Sequence, residues 1–504
     1  MESRTYENAI DKLNSTQTNF RALEQRRQLS ALNMKLPSAP LEDMRQWLKC
    51  LGYTVSDLNG LNIVHVAGTK GKGSTCNFVN SILQQYQQQS TIGTTHAPRK
   101  IGLYTSPHIK SVRERISINS EPISEKQFAK YFFEVWDALE YAVTVIASSN
   151  TAGNDGTPQA KLLKPTYFRF LTLLSFHVFL RENVDVAIYE VGVGGERDST
   201  NVIAQPVVTG ITTLGMDHMN ALGHTIDKIA WHKAGIFKTG CPAVTVQQVP
   251  EAMKVLEARS LEKGVELVTI DADWERLVAN VDVRPAESFQ KRNAALAVKL
   301  ATVALARFGI RVNCSKDGLP MEFVKGLESA RLRGRGETLT INQQNWHLDG
   351  AHTEDSIALA SSWFGRVALT SLKQTPRILI FNQQSQRDAT SLLRTLYHTL
   401  YHNFNAPFQH AVFCTSHTYK GGVFKSECVD NNADPTTLQS LALQKELANV
   451  WKQLDPVTRV VALPSIEDVV DYVNDISRRN GGEMQIFVVG CFRLVGGILA
   501  VLER

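Results

Sequence analysis

Thiol chemistry has little to work with in this chain. Seven cysteines occur among 504 residues, an odd count, and no two stand in a C-x-x-C arrangement. That argues against a disulfide framework and against a zinc site, and points to a reducing compartment. Long apolar runs are also lacking. The longest, Ile486 to Leu502, is broken by Arg493 and several glycines, so it reads as a buried strand, turn and helix and not as a membrane span. No block of Lys and Arg occurs, and 54 basic against 49 acidic residues leave a net charge of only +5. No nucleic-acid partner is expected from so weak a bias, whereas an anionic small substrate such as a nucleotide fits it. Met1 to Asp11 hold no secretory apolar core. They carry Glu2, Glu7 and Asp11 against Arg4 alone, and matrix-targeting presequences avoid acids.

What is present is ordinary globular composition, 43% apolar and 20% charged. At about 150 residues per domain the length allows roughly three domains, or two large ones. Leu61 to Ala67 is a short β-rich run ending in glycines, and Ser74 to Gln87 reads as a helix with Phe78, Val79, Ile82 and Leu83 on its apolar face. Tyr167 to Leu180 (helix), Val184 to Val193 (strand), Val207 to Thr212 (strand) and Thr225 to Ala234 (helix) continue the alternation. Such alternation predicts an α/β fold with a mostly parallel sheet and helices on both faces. Residues up to about Pro40 read as a polar helix anchored by Leu13, Phe20, Leu23 and Leu29. Loops are expected at 148–165 and 421–435.

After about Glu337 the alternation restarts. Strands are expected at Trp346–Leu348, Arg377–Phe381, Ala411–Cys414 and Gln485–Val489, with helices at Asp388–Leu400 and Leu438–Leu454. This predicts a second, smaller α/β domain, with Arg331 to Gly336 as the hinge.

The segment Gly68-Thr69-Lys70-Gly71-Lys72-Gly73-Ser74-Thr75 lies between that first strand and helix. Its glycines let the backbone curl so that N–H groups point inward, and the helix N-terminus adds positive potential. Lys72 can reach the β/γ phosphates of a nucleotide, and Ser74 or Thr75 can offer a hydroxyl to phosphate or Mg²⁺. The spacing departs from the common P-loop, with two residues between Gly68 and Gly71 and a glycine after the lysine.

A triphosphate calls for hard oxygen ligands at strand ends. Glu190 lies in an otherwise apolar strand, where an uncompensated carboxylate costs several kcal/mol. Mg²⁺ would compensate it, as would a buried Arg or a capped loop. Ser106 (in Thr105-Ser106-Pro107-His108) is either a ligand or part of a plain turn. His218 follows Asp217, although histidine is an uncommon Mg²⁺ ligand. Lys233 sits in a mostly apolar context, where a snorkelling lysine is the simpler alternative. None is specific singly; their order along the chain is the signal.

In that order these residues resemble the folylpolyglutamate synthase family. The matching motifs are the phosphate loop, Tyr104-Thr105-Ser106-Pro107-His108, Glu190-Val191-Gly192-Val193-Gly194-Gly195 and Asp198-Ser199-Thr200-Asn201. Asp217-His218 with Leu222-Gly223-His224-Thr225, His232-Lys233-Ala234-Gly235-Ile236-Phe237-Lys238, Arg292-Asn293-Ala294-Ala295 and Leu348-Asp349-Gly350-Ala351-His352 extend the match. It covers roughly Gln46 to the C-terminus, and Thr166-Tyr167-Phe168-Arg169-Phe170-Leu171 is similar to the eukaryotic form. The resemblance implies a Mur-ligase-like architecture: a P-loop ATP-binding domain over 1–334, a Rossmann-like glutamate-ligase domain over 335–504, and an active site in the cleft between them. It implies the reaction of ATP, tetrahydrofolyl-(Glu)n and L-glutamate to give ADP, phosphate and a chain one glutamate longer, through an acyl phosphate.

By motif position the resemblance assigns ATP contacts to Gly71, Lys72, Gly73, Ser74, Asn293, Arg335, Asp349 and His352. It assigns Mg²⁺ ligation to Ser106, Glu190, His218 and a carbamylated Lys233, with Lys72 and Lys233 catalytic. It admits a monovalent cation such as K⁺, and implies a monomer in the cytoplasm, with a mitochondrial form if an upstream start adds a presequence. Dihydrofolate synthase activity is the near alternative, and a P-loop switch that hydrolyses ATP the distant one. The chain departs from the family at Leu332-Arg333-Gly334-Arg335 (often Trp-Pro-Gly-Arg), at Ser385-Gln386-Arg387-Asp388 (often Gly-Asp-Arg-Asp), and at Gly490-Cys491-Phe492-Arg493 (usually Gly-Ser-Leu). These bear on glutamate recognition.

Overall fold

The computed structural model describes residues 4–18, 40–87, 97–149, 164–314, 318–368, 375–384, 388–422, 427, 440–481 and 483–504. The anchors Phe20, Leu23 and Leu29, the departure at 385–387 and most of the two expected loops lie outside them. Contacts divide the chain between Arg331 and Leu332 into two compact units, with residues 107–112 grouped with the second.

The first unit is built on an eight-stranded sheet. Its strands are β1 (Val64–Ala67), β2 (Ile101–Tyr104), β3 (Ile116–Ile118), β4 (Glu121–Pro122), β5 (Val186–Glu190), β6 (Val208–Ile211), β7 (Ala243–Val246) and β8 (Leu267–Ile270), in the order β4-β3-β2-β5-β1-β6-β7-β8. From β2 to β8 every pairing is parallel; β3 and β4 add an antiparallel edge. β1, β2, β5, β6 and β7 are buried along their whole length, as parallel strands covered on both faces must be. The helix Lys72–Gln87 lays Phe78, Val79, Ile82 and Leu83 into one core with Val64, Val66 and Ile188.

Two boundaries differ from the sequence reading for local reasons. The helix after the phosphate loop opens at Lys72, two residues early, because Thr75 N–H already bonds Gly71 C=O at 2.9 Å. Glycine is a poor helix former, so Gly73 hid that first turn. β5 is shorter than its apolar run: Asp198 accepts the Val193 N–H at 2.9 Å and pulls the chain into a loop.

The second unit carries a six-stranded sheet of β9 (Glu337–Ile341), β10 (Gln344–Asp349), β11 (Arg377–Phe381), β12 (His410–Cys414), β13 (Arg459–Leu463) and β14 (Met484–Val489), ordered β13-β12-β11-β14-β10-β9. Only β9 runs antiparallel. The helix Phe492–Leu502 follows β14 after a two-residue turn, so the C-terminal apolar run is strand, turn and helix as expected. Helix Ala389–Phe404 runs one turn beyond its expected end, to an Asn405 cap in the left-handed conformation.

Candidate active site

Two close approaches shape the phosphate loop. Gly68 has φ +150°, and a Cβ there would lie 1.7 Å from Thr212 Oγ1; Gly71 has φ +88°, and its Cβ would lie 2.2 Å from Asn293 Oδ1. Side chains are therefore excluded at both positions. The Thr69 and Lys70 N–H groups bond the Thr213 carbonyl at 3.0 and 3.1 Å, tying the loop to the segment after β6. Asn293 is buried, donates to Gln290 Oε1 at 2.9 Å, and lies against the loop at Gly71.

Lys72 and Lys233 converge. Both ammonium groups donate to the carbonyl oxygen of Gly68, Lys72 at 3.1 Å and Lys233 at 2.7 Å. Lys233 ends the helix Ile226–Lys233 and is 4% exposed. Burial, then the Lys72 charge, hold its ammonium well below the usual lysine range. Desolvation and a like charge both favour the neutral amine. The loop Gly195–Glu196 packs on the same helix end, where Glu196 N–H bonds His232 C=O at 2.6 Å. Lys233 is thus a fixed, dry lysine and not a snorkelling one.

Glu190 and Ser106 also meet. Glu190 closes β5, is 3% exposed, and accepts the Ser106 N–H at 2.8 Å on Oε2. Its charge, after burial, helps push the Cys76 thiol up from the helix Lys72–Gln87. Thr75 Oγ1, on that helix, is buried without a hydrogen-bond partner. His218 caps the four-residue helix Met219–Leu222 in a left-handed conformation (φ 52°), half exposed, with its N–H on Asp217 Oδ1 at 2.9 Å. Among the described residues no three of His, Cys, Asp and Glu gather as a metal cage. An orphaned hydroxyl and a buried carboxylate nevertheless suit a hard cation that takes further oxygens from phosphate.

In the second unit Asp349 closes β10. Its carboxylate accepts Gly336 N–H and Ala351 N–H, both at 2.8 Å, fixing the turns on either side. His352 Nδ1 lies 2.6 Å from Gly350 C=O. A carbonyl only accepts, so Nδ1 carries the proton. The Arg335 guanidinium lies 4.5 Å from the Phe492 ring centroid, and His352 meets the same ring edge-on at 5.8 Å. Arg335 and His352 thereby meet at Phe492, which the sequence reading did not single out as a site residue. Its signal was Gly350, whose Cβ would fall 2.3 Å from that ring.

A buried hydrogen-bonded chain of residues far apart in sequence joins β1 to the loop after β5. His65 Nε2 lies 2.9 Å from Thr200 Oγ1, which donates to Asp198 Oδ1 at 2.7 Å.

A strand–glycine loop–helix phosphate site on a parallel sheet, joined in one chain to a smaller α/β unit, defines the Mur-type ATP-dependent ligase fold. No family model matches the chain. It is 46% identical to the Neurospora crassa folylpolyglutamate synthase over 506 residues (100% of this chain, 92% of the relative), and 42% identical to that of Saccharomyces cerevisiae S288c over 513 residues (100% and 88%). A solved folylpolyglutamate synthase complex with AMPPCP and folate aligns at TM-score 0.64 and 26% identity, covering 93% of this chain and 97% of that one. The chain belongs to the folylpolyglutamate synthase family.

Proposed function

We propose that the chain joins L-glutamate to the γ-carboxylate of a reduced folate, with ATP cleaved to ADP and phosphate. The observation that carries this reading is the Gly68 carbonyl shared by two lysine side chains at the head of a helix. A polyphosphate is a better acceptor for those donors than one neutral oxygen.

A carboxylate is a poor electrophile. Its oxygen first attacks the γ-phosphorus of ATP; the new O–P bond forms as the bond to the β-phosphate oxygen breaks and ADP leaves. The glutamate amine then attacks the acyl carbon, phosphate departs with the C–O electron pair, and the amine loses a proton. Lys72 neutralises charge on the moving phosphoryl group, while Gly71, Gly73 and Ser74 direct backbone N–H groups at the phosphates. Mg²⁺, held by Ser106, Glu190, His218 and modified Lys233, would supply further charge neutralisation there. The neutral amine of Lys233 suits carbamylation: its lone pair forms an N–C bond to CO₂ and a proton is released. The product is an anion facing Lys72 in place of a neutral amine. Asn293, Arg335, Asp349 and His352 are assigned to nucleotide contacts.

The test is ATP- and Mg²⁺-dependent incorporation of labelled glutamate by the purified chain, with tetrahydrofolate and dihydropteroate compared as acceptors. Elongation of tetrahydrofolate is expected. Incorporation into dihydropteroate alone, or none at all, would overturn the proposal.

A further inference from the structure

Helix Ala389–Phe404 presents an unused pair of ligands. Leu392, Leu393, Leu396 and Leu400 bury its inner face. His398 and His402, one turn apart, are both exposed on the outer one. Residues four apart on a helix are neighbours, and here the two imidazole rings lie 5.3 Å apart between centroids and within 9° of parallel. His402 stands in the last turn of the helix, where the carbonyl end of the dipole favours a cation.

Imidazole nitrogen is a borderline-soft ligand that suits Zn²⁺, Ni²⁺ and Cu²⁺, whereas Mg²⁺ prefers oxygen. Two rings at this spacing reach a common ion at about 2.0–2.1 Å from each nitrogen with only side-chain rotation, because the buried leucines hold the backbone still. We infer that His398 and His402 form a two-point chelate for a late first-row divalent ion, with water completing the coordination. The site shares no residue with the nucleotide and Mg²⁺ groups named above.

The test uses the full chain without an affinity tag, titrated with Ni²⁺ and, in a separate sample, with Cu²⁺ observed by electron paramagnetic resonance. The Cu²⁺ spectrum should show coupling to two imidazole nitrogens. His398→Gln and His402→Gln should each weaken Ni²⁺ binding by at least about tenfold, since a two-point grip becomes a one-point one. Each should also reduce the coupling to one nitrogen. Glutamate incorporation should stay unchanged in both variants. Ni²⁺ affinity that persists in the His398→Gln/His402→Gln double variant would overturn the inference, as would an unaltered two-nitrogen spectrum or equal competition by Mg²⁺.

Discussion

Lys72 and Lys233 share one neutral carbonyl, that of Gly68. Burial and the Lys72 charge favour the neutral amine of Lys233, which leaves Lys72 as the cation that meets an incoming anion. Lys72→Ala should therefore fold normally, yet lose about 10²–10³ in kcat, the typical cost of one preorganised charge-stabilising group. Single-turnover glutamate incorporation measures it, and a near-normal rate would show that the loop does not take part in the chemistry. Lys233→Ala should likewise lose activity with the fold retained, and mass spectrometry of the native chain under CO₂ should find the extra 44 mass units, roughly one carbamate, only when Lys233 is present.

His65 gives a residue-scale prediction of a different kind. Burial, then the Lys238 charge, push it down to about 3, so the folded protein holds it neutral. The unfolded chain protonates it near its ordinary value, about 6.5. Between those values the unfolded state binds the extra proton, so stability rises with pH over that window and falls as pH drops from about 6.5 towards 3. At the acid end the loss is roughly 4–5 kcal/mol. His65→Gln is uncharged at every pH and should flatten this part of the curve when urea midpoints are compared from pH 7 to 4. An equal acid dependence in the variant would place the cause elsewhere.

At the scale of elements, the helix Lys72–Gln87 connects the phosphate loop to the core. Helix Met321–Ser329 crosses it at Gly326, where a Cβ would lie 2.6 Å from Ile82 Cα and 3.0 Å from Ser81 C=O. Those are backbone atoms and cannot rotate away. Gly326→Val should force the two helices apart, costing about 1–3 kcal/mol by overpacking, and should weaken binding of an ATP analogue because the loop's helix shifts with it. Thermal unfolding and nucleotide titration of the same variant check both effects. Loss of stability with unchanged nucleotide affinity would mean that the loop is held by Thr213 and Asn293 alone.

Elements also show what the sequence made legible. The helix periodicity of Phe78, Val79, Ile82 and Leu83, and the apolar runs of β1, β5, β6, β11 and β14, carry their own signal. β7 (Ala243–Val246) and β8 (Leu267–Ile270) are no shorter than β1 and β6, but no motif marks their ends, and they become strands to the eye only once the sheet is assembled. Phosphate-loop chemistry was readable because its glycines, lysine and hydroxyls are contiguous. Glu190 was readable because a carboxylate interrupts an apolar strand. The chain from His65 through Thr200 to Asp198 was not, since its members lie 135 positions apart between His65 and Thr200 and meet only through β1 packing near the loop after β5. Phe492 was hidden for the same reason: it looks like one more core residue until the fold brings Arg335 and His352 to its ring.

At the scale of the whole molecule, each unit has cores of its own. In the first, Val64, Phe78, Ile188 and Leu296 belong to one cluster; in the second, Phe364, Leu379, Phe413 and Phe487 belong to another, with a further cluster around Trp346, Ile380 and Ile486. Proteins with separate cores commonly depart from a single cooperative transition. The phosphate loop, Lys233 and Glu190 all belong to the first unit. Calorimetry should accordingly resolve two transitions, and a non-hydrolysable ATP analogue with Mg²⁺ should raise the first unit's transition more than the second's. A ligand at a hundred times its Kd adds about 2.7 kcal/mol to the state that binds it. In Lys72→Ala the shift should shrink while the unliganded transitions stay in place. If both units melt together and the whole transition moves with nucleotide, their stability is one property of the chain, and the cores do not act as independent bodies.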